Sequence, residues 1–469
     1  MKTLVMKFGG TSVGNADAIR QTATIVKEYA PQWERLTVVV SAMRGITDAL
    51  IHSAQAAARG DQSTYQGLIA DLQVRHYEAI MELIPSGEER KSLLEIVNQH
   101  LNELSAYCNS IHVLGEVTPR GMDTITSLGE RLNARVVSAA LRQIGLKAQP
   151  VNATELIITD ANFQNAVPDM EATRSRTRSK LIPFFEAGSI PVVTGFISAT
   201  PDGVITTLGR GGSDYTAAIL GTCLDADEVW TWTDVDGVMT ADPRVVPDAR
   251  VIPELSFSEV SELAYFGAKV LHPKTIRPII EQDIPLWVKN TFNPSYPGTR
   301  ITAAPQSDSG QVTAISTIPN LSMVTVEGRG MLGVPGIAAR TFSAVARTGA
   351  SVLMISQASS EQSISFVIPT ANATDVIASL ETEMSLELTR RDIDRIWSKD
   401  DVTILTVVGA AIRNTPGVAA RIFGALGKAN INVIAIAQGS SEYSISLVLT
   451  DADAEEAMRA IHTEMLVEA

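Results

Sequence analysis

Three short stretches gather charged side chains around glycine, each directly after a strand-like run. The first is "KFGGTSVG", Lys7 to Gly14. Backbone N–H groups at a helix start attract anions, and glycine lets a phosphate come close. A plain strand-to-helix turn would account for Gly9 and Gly10, but not for Lys7 on an apolar strand. The second, "TLGRGGSDYTAA" (Thr207 to Ala218), sets Arg210, Ser213 and Asp214 around two glycines at another helix start. Arginine can grip a carboxylate in bidentate fashion; the plainer use is an N-cap by Ser213 or Asp214. The third, "TWTDVDGVMTADPR" (Thr231 to Arg244), carries Asp234, Asp236 and Asp242. It lacks the glycine and glutamate that a calcium loop requires. A lysine, an arginine and several backbone nests at strand ends suit phosphoryl transfer. Positioning and charge neutralisation do most of that work, and no covalent nucleophile is needed.

Other chemistries find less support. "EGRGMLG" holds Gly328-x-Gly330-x-x-Gly333 between a strand-like run and a helix, the nominal dinucleotide fingerprint. The acidic residue expected about 20 positions on, to hold ribose hydroxyls, is missing there. There is no P-loop and no His-Glu-x-x-His, and the six histidines do not cluster at metal-ligand spacing. His272, beside Pro273, reads as structural. Cys108 and Cys223 form no disulfide framework. Net charge is −14, which argues against a sequence-independent nucleic-acid binder. The most basic run, "RSRTRSK", reads as the solvated face of a helix continuing into "LIPFFEAG". No signal-peptide pattern or apolar run of membrane-spanning length is visible, so a cytoplasmic location is expected.

The elements that must position these turns follow a strand–helix–strand rhythm. "LVMKFG", "LTVVVSA", "IPVVTGFIS", "EVWTWTDV" and "PLWVKN" are short apolar runs with helical patterns between them. The first such helix places Ala18, Ile25, Val26 and Tyr29 on one face, with Asn15 as N-cap. This rhythm predicts a largely parallel sheet covered by helices. Residues 66–146 read as mostly helical, broken at Pro85 and Pro119. A Pro-, Gly- and Ser-rich stretch near residues 293–311 reads as a linker. Beyond it, Val334–Ile368 aligns without gaps onto Thr415–Leu449, with about half the positions identical. Each copy reads strand, Pro-Gly turn, helix, strand, turn, strand, and should pair with its twin. The expected domains are 1–292 (catalytic), 312–396 and 397–469.

"KFGGTSV", "GRGGSDYTAA", "TDVDGVMTADPR" and "YFGAKVLHPKT" resemble, in order and spacing, the four signature segments of the aspartate kinases. The tandem repeat is similar to the paired ACT regulatory modules of that family. The resemblance covers nearly the whole chain and implies a three-layer αβα amino-acid-kinase sandwich followed by two ferredoxin-like ACT modules. By the family's discontinuous pattern, "QVTAISTI" would lend a strand to the second module. The implied reaction moves the γ-phosphoryl of ATP to the side-chain carboxylate of L-aspartate, giving 4-phospho-L-aspartate, the first step towards lysine, threonine and methionine. By matching positions, Lys7 and Lys269 neutralise the transferring phosphoryl group, and Asp214 orients both lysines. Arg210 clamps the substrate α-carboxylate, with Glu130 facing its ammonium. Ser41, Thr47, Phe196 and Ser213 complete the aspartate pocket. Thr233, Asp234, Arg244 and the Gly9–Gly10 turn hold the nucleotide. Met239 stands where the family commonly has an aromatic, and it could pack against adenine. Mg²⁺ is expected to be bound largely through phosphate oxygens and water, with no protein ligand named.

Gln357 in "MISQASSE" and Gln438 in "AIAQGSSE" occupy the same place in the two repeats. A polar amide repeated at the end of an apolar strand suits an amino-acid effector at a module interface; a turn-stabilising glutamine is the alternative. The repeats look closest to the threonine-responsive branch, with lysine as the other effector. A homodimer through the repeats is the minimum expected. The competing readings are a glutamate or N-acetylglutamate kinase, a catalytically inactive amino-acid sensor, and the kinase part of a bifunctional aspartokinase–homoserine dehydrogenase. The sequence stops at Ala469 with no dehydrogenase region, so it is expected to be the kinase part alone.

Overall fold

The computed structural model describes residues 1–267, 271, 273–303, 312–357, 362–410, 412, 415–438 and 443–467. The chain divides into two units. The first comprises residues 1–238, 251–257 and 270–305, and the second residues 239–250, 258–269 and 306–469.

An eight-stranded sheet forms the heart of the first unit. Its order is Ala148–Val151, Ile190–Thr194, Arg35–Val40, Thr3–Phe8, Glu228–Thr233, Leu286–Asn290, Thr299–Thr302, Glu254–Ser256. The first six strands run parallel, and Thr299–Thr302 turns antiparallel against Leu286–Asn290. Parallel strands covered on both faces read as continuous apolar runs, which is why Thr3–Phe8 is buried at every position. Leu4, Met6 and Phe8 enter a core built with the helices Ala16–Tyr29, Ile46–Ala58, Gln62–Leu83, Glu88–Leu114 and Pro119–Gln143. The alternate residue Lys7 points to the opposite face, where the helix Gly212–Cys223 lies. Helices on both faces make three layers.

Local expectations meet the structure in several places. Asn15 caps the first helix, its Oδ1 accepting from Ala18 N at 2.9 Å. Pro119 stands at the first position of its helix, where a missing N–H costs nothing. Arg174 and Arg178, from the basic run, project from the helix Met170–Glu186 and both pair with Asp225. "IPVVTGFIS" is two strands, Ile190–Thr194 and Ile197–Ala199, because Phe196 adopts φ +68° between them. The stretch read as linker contains the strand Thr299–Thr302, whose Thr299 and Ile301 are fully buried.

The second unit is one antiparallel sheet of six strands: Met354–Gln357, Ser363–Pro369, Ala314–Glu327, Arg395–Val408, Ser444–Thr450, Ala435–Ala437. Its two central strands have 14 residues each and serve both repeats. Leu321–Glu327 pairs with Ser363–Pro369, whereas Ala314–Ile318 pairs with Ile404–Val408, which also carry Ser444–Val448. The strand before the first repeat therefore completes the sheet of the second. Asn320 and Asp401, at φ +62° and +53°, break the two long strands at equivalent points. Helices Ile337–Arg347 and Ala373–Glu383 cover one half of the sheet, and Val418–Lys428 and Asp451–His462 the other. Ala241 and Val246, from the segment 239–250, are buried in the core of the second module. In the dinucleotide-like stretch, Gly328 and Gly330 abut backbone: a Cβ would stand 2.3 Å from Asp392 O and 2.6 Å from Asp392 Cα. Those glycines admit the chain's own backbone, at the bend before the strand Arg395–Val408, rather than a cofactor.

Candidate active site

The central strand Thr3–Phe8 has neighbours on both sides, Arg35–Val40 and Glu228–Thr233. Strand order reverses there, and open α/β sheets bind ligands outside the carboxyl ends at such a point. The turns after these strands do converge. Gly9 N donates to Trp232 O at 3.0 Å, Ser41 N to Phe8 O at 3.1 Å, and Gly195 N to Val40 O at 2.8 Å. They enclose a cavity of about 600 Å³ whose lining includes Lys7, Gly10, Ser41, Thr47, Glu130, Phe196, Arg210, Ser213 and Asp214. Nine of the residues singled out from sequence thus share one cavity.

Lys7 Nζ lies 2.7 Å from Asp214 Oδ1, with the two side chains 9% and 19% exposed. Thr231, on the adjacent strand, donates weakly to the same oxygen at 3.5 Å. The plainer role for Ser213 or Asp214 is not the one observed. The helix is capped by Gly211 in the left-handed region with no side-chain hydrogen bond, and Asp214 turns instead to Lys7. The helix Ile46–Ala58 likewise begins at a left-handed glycine, Gly45, without a side-chain cap. Both uncapped starts lie at this cavity, which Gly45, Thr47, Gly211, Gly212 and Ser213 help to line. Their backbone N–H groups form an anion-attracting rim.

Phe196 is held by backbone on both sides: its N donates to Thr216 Oγ1 at 3.0 Å and its O accepts from Leu208 N at 2.9 Å. A positive φ on an aromatic residue is unusual, and such strain concentrates at functional sites. Gly212 makes room for its ring, since a Cβ there would come within 2.6 Å of Phe196 Cδ2.

Glu130 is 3% exposed. Its Oε1 accepts from Ala42 N at 3.2 Å, while Oε2 has no partner among the described residues. Burial pushes its carboxyl up to about 8, and the hydrogen bond from Ala42 only partly offsets this. A carboxyl so placed gains greatly from an incoming cation.

Sequence reasoning missed the residues that hold the walls. Asp123, 1% exposed, accepts from Gln164 N at 3.0 and 3.1 Å, Thr207 N at 3.0 Å and Thr207 Oγ1 at 2.8 Å. It therefore fixes the strand that leads into Gly209–Arg210. Burial raises its carboxyl, against the pull of those hydrogen bonds. Asn133 donates to Ser41 O at 2.7 Å and so holds the second turn. Their signal was faint: an acidic and an amide residue on the buried side of the helix Pro119–Gln143, which also carries Thr126, Ser127 and Ser138. Arg44, an exposed cation, also lines the cavity.

Thr233 is half-buried and donates to its neighbour Asp234 at 3.2 Å, at the end of the strand Glu228–Thr233. Arg244 is exposed and turned onto Asp242, at 2.6–3.2 Å, rather than lining the cavity. Met239 and Arg244 belong to the segment that folds with the second unit. Gln357 and Gln438 are both exposed, at the end of the strand Met354–Gln357 and directly after Ala435–Ala437. Lys269 and His272 lie outside the described residues. Among the described residues no cluster of three His, Cys, Asp or Glu side chains could hold a metal ion. Nor, among them, is any helix long and apolar enough to cross a membrane.

This geometry offers buried cationic and anionic groups in one cavity, with backbone donors around it. Residues 2–290 match the amino acid kinase family, and residues 324–384 and 405–465 each match the ACT domain. The chain is 39% identical, over 465 residues, to bifunctional aspartokinase/homoserine dehydrogenase 1 of Arabidopsis thaliana, covering 98% of this chain and 50% of that protein. It therefore spans about half the length of the curated relatives it matches first. Aspartokinase 2 of the same plant is 34% identical, with 98% of this chain and 84% of that protein covered. The crystal structure of E. coli aspartokinase III with aspartate and ADP superposes with a TM-score of 0.83 at 29% identity, covering 99% of this chain and 100% of that one. The chain belongs to the amino acid kinase family, within its aspartokinase group, and carries paired ACT domains after the kinase region.

Proposed function

We propose that the chain is an aspartate kinase. It transfers the γ-phosphoryl of ATP to the side-chain carboxylate of L-aspartate, giving 4-phospho-L-aspartate and ADP. The observation that carries this reading is the Lys7–Asp214 pair, its lysine buried, in a cavity shared with Arg210 and Glu130. A carboxylate oxygen attacks phosphorus as the bond to the ADP oxygen breaks. The acceptor is already ionised, so no general base is needed, and among the described residues no histidine lines the cavity. What the step demands is relief of repulsion between two anions, and cations fixed in a dry site supply it. Lys7 does so at the end of the central strand, held in place by Asp214; Lys269 shares that role. Arg210 binds the α-carboxylate, Glu130 the ammonium, and Ser41, Thr47, Phe196 and Ser213 shape the pocket. Thr233, Asp234, Met239, Arg244 and the Gly9–Gly10 turn are the residues assigned to the nucleotide. Magnesium, bound with the nucleotide, would screen the phosphate oxygens and would be held largely through those oxygens and water.

The paired ACT modules support the reading that the enzyme is feedback-regulated by an amino acid. Gln357 and Gln438 contact the amino-acid effector, threonine first and lysine second, in at least a homodimer, and the enzyme works in the cytoplasm. A second reading, that the kinase shares a polypeptide with homoserine dehydrogenase, draws on the half-length match to bifunctional relatives. The mass and dehydrogenase activity of the native gene product decide it. For the kinase itself, coupled ADP-release assays with aspartate and with glutamate are the test. Turnover on glutamate alone would sink the assignment.

A further inference from the structure

The turn that follows the strand Glu228–Thr233 is fastened from the neighbouring strand end by asparagine side chains. Asn290 Nδ2 donates to Asp236 Oδ1 at 2.8 Å, and Asn293 Nδ2 donates to the same oxygen at 3.0 Å. The amide orientation of Asn290 is fixed by its other end, because its Oδ1 accepts from Phe292 N at 2.9 Å. Between the two asparagines, Thr291 N donates to Thr233 O at 2.9 Å. Thr291 Oγ1 donates to Ser12 Oγ at 2.7 Å, and Ser12 Oγ to Trp232 O at 3.1 Å, both fully buried. One strand end, Asn290–Asn293, thus grips both the first glycine turn and the Thr233–Gly237 turn. The far end of the latter is closed by Thr299 Oγ1, which accepts from Val238 N at 2.8 Å. Gly237 is needed for that closure, since a Cβ would stand 2.5 Å from Thr299 Oγ1 and 2.6 Å from Val251 Cγ1.

We infer that Asp236 is a positioning residue for nucleotide binding: it serves as an acceptor post that holds Thr233 and Asp234 in their bound arrangement. This inference rests on the proposal that those two residues hold ATP. The contacts define which property of Asp236 matters. Both partners are neutral amide donors, and both use Oδ1. An acceptor oxygen is what the fastening needs, and an asparagine at this position supplies one. Were Asp236 instead a ligand to the nucleotide's metal ion, its negative charge would be essential. A turn fixed before binding saves the entropy of ordering it on binding, so the effect belongs to nucleotide affinity and not to aspartate affinity.

The test uses the full chain and compares wild type with Asp236→Ala, Asp236→Asn and Asn290→Ala. ADP dissociation constants, KM for ATP and KM for aspartate are measured, with thermal midpoints as a check on folding. The expected result is a tenfold or larger loss of ADP affinity and rise in KM for ATP in Asp236→Ala, with KM for aspartate within twofold of wild type. Asp236→Asn should lie within threefold of wild type throughout. Asn290→Ala should be intermediate, and no worse in combination with Asp236→Ala than Asp236→Ala alone. An Asp236→Asn variant as impaired as Asp236→Ala would overturn the inference in favour of a charge or metal role. Unchanged ADP affinity in Asp236→Ala, or equal rises in both KM values, would also overturn it. Wild-type protein that binds no ADP would contradict the nucleotide-site proposal itself, and this inference with it.

Discussion

At the residue scale the site is a balance of few charges. Lys7 is held at 2.7 Å from Asp214, so Lys7→Ala removes the cation and leaves a nearly buried carboxylate unpaired. Losing one preorganised group that stabilises developing charge typically costs about 10²–10³-fold in turnover. We expect a loss of that order in kcat, with KM for ATP less affected. Glu130 gives a pH signature. Its carboxyl, at about 8 in the folded protein, is protonated at neutral pH, yet pairing with an ammonium requires the carboxylate. KM for aspartate should therefore fall as pH rises from 6 to 8.5, and Glu130→Gln should weaken aspartate binding and abolish that slope. The stability sign follows from the same shift. Between its ordinary value near 4.5 and about 8, the folded state holds a proton that the unfolded state has lost. Stability of the ligand-free protein is thus largest at the low end of that window and falls as pH rises through it. Urea titrations of Glu130→Gln should show a smaller fall. Lys7, Arg210 and Asp214 were legible in sequence because each lies in a glycine-punctuated turn after a strand-like run, whereas Glu130 entered only through the family resemblance. Asp123 and Asn133 were not, because a polar residue on a buried helix face is visible only once the neighbouring loops are placed against it.

At the scale of elements, the strand–helix rhythm was enough to set out the parallel sheet, since buried parallel strands leave continuous apolar runs. The order of strands was not legible, because nothing in a run such as "EVWTWTDV" states that it will lie beside the first strand. Nor was the break at Phe196, which depends on Gly212 yielding space to its ring. Asp123 is the element-scale joint, holding the Gln164 loop and the strand Ile205–Thr207 to the helix Pro119–Gln143. Asp123→Ala strips partners from three donors, of which the two on Thr207 are buried, at about 1–3 kcal/mol for each buried donor left unsatisfied. Its chemical midpoint should drop clearly, and KM for aspartate should rise through the displaced Arg210 loop. Asp123→Asn, which keeps an acceptor oxygen, should recover much of both.

At the scale of the molecule, the internal repeat was the most readable feature, and the shared six-stranded sheet is its physical consequence. The two long strands Ala314–Glu327 and Arg395–Val408 pair at the centre of that sheet, so each copy satisfies backbone groups of the other. What the repeat could not disclose is that part of the kinase-region sequence, residues 239–250, folds with the second unit. Thr240 Oγ1 meets His462 Nε2 at 3.0 Å, and Val245 O accepts from Arg459 Nε at 3.0 Å. The segment carrying Met239 and Arg244 is therefore anchored to the final helix of the second module. The regulatory proposal has a direct consequence here. Threonine or lysine should inhibit the wild type, and Gln357→Ala or Gln438→Ala should raise the inhibitory concentration about tenfold or more with basal kcat intact, a loss in keeping with one or two hydrogen bonds. Insensitivity of the wild type to threonine, lysine and methionine alike would remove the sensor role from both glutamines.

On the proposed function, Lys7 and its neighbours promote transfer of the ATP γ-phosphoryl to the side-chain carboxylate of aspartate. Acyl phosphates react with hydroxylamine to give coloured hydroxamates, so hydroxamate formation with ATP and either aspartate or glutamate reads the product's chemistry directly. ATP-dependent hydroxamate is expected from aspartate, with little from glutamate and near-complete loss in a folded Lys7→Ala variant. Hydroxamate from glutamate alone, or undiminished aspartate turnover without Lys7, would contradict it.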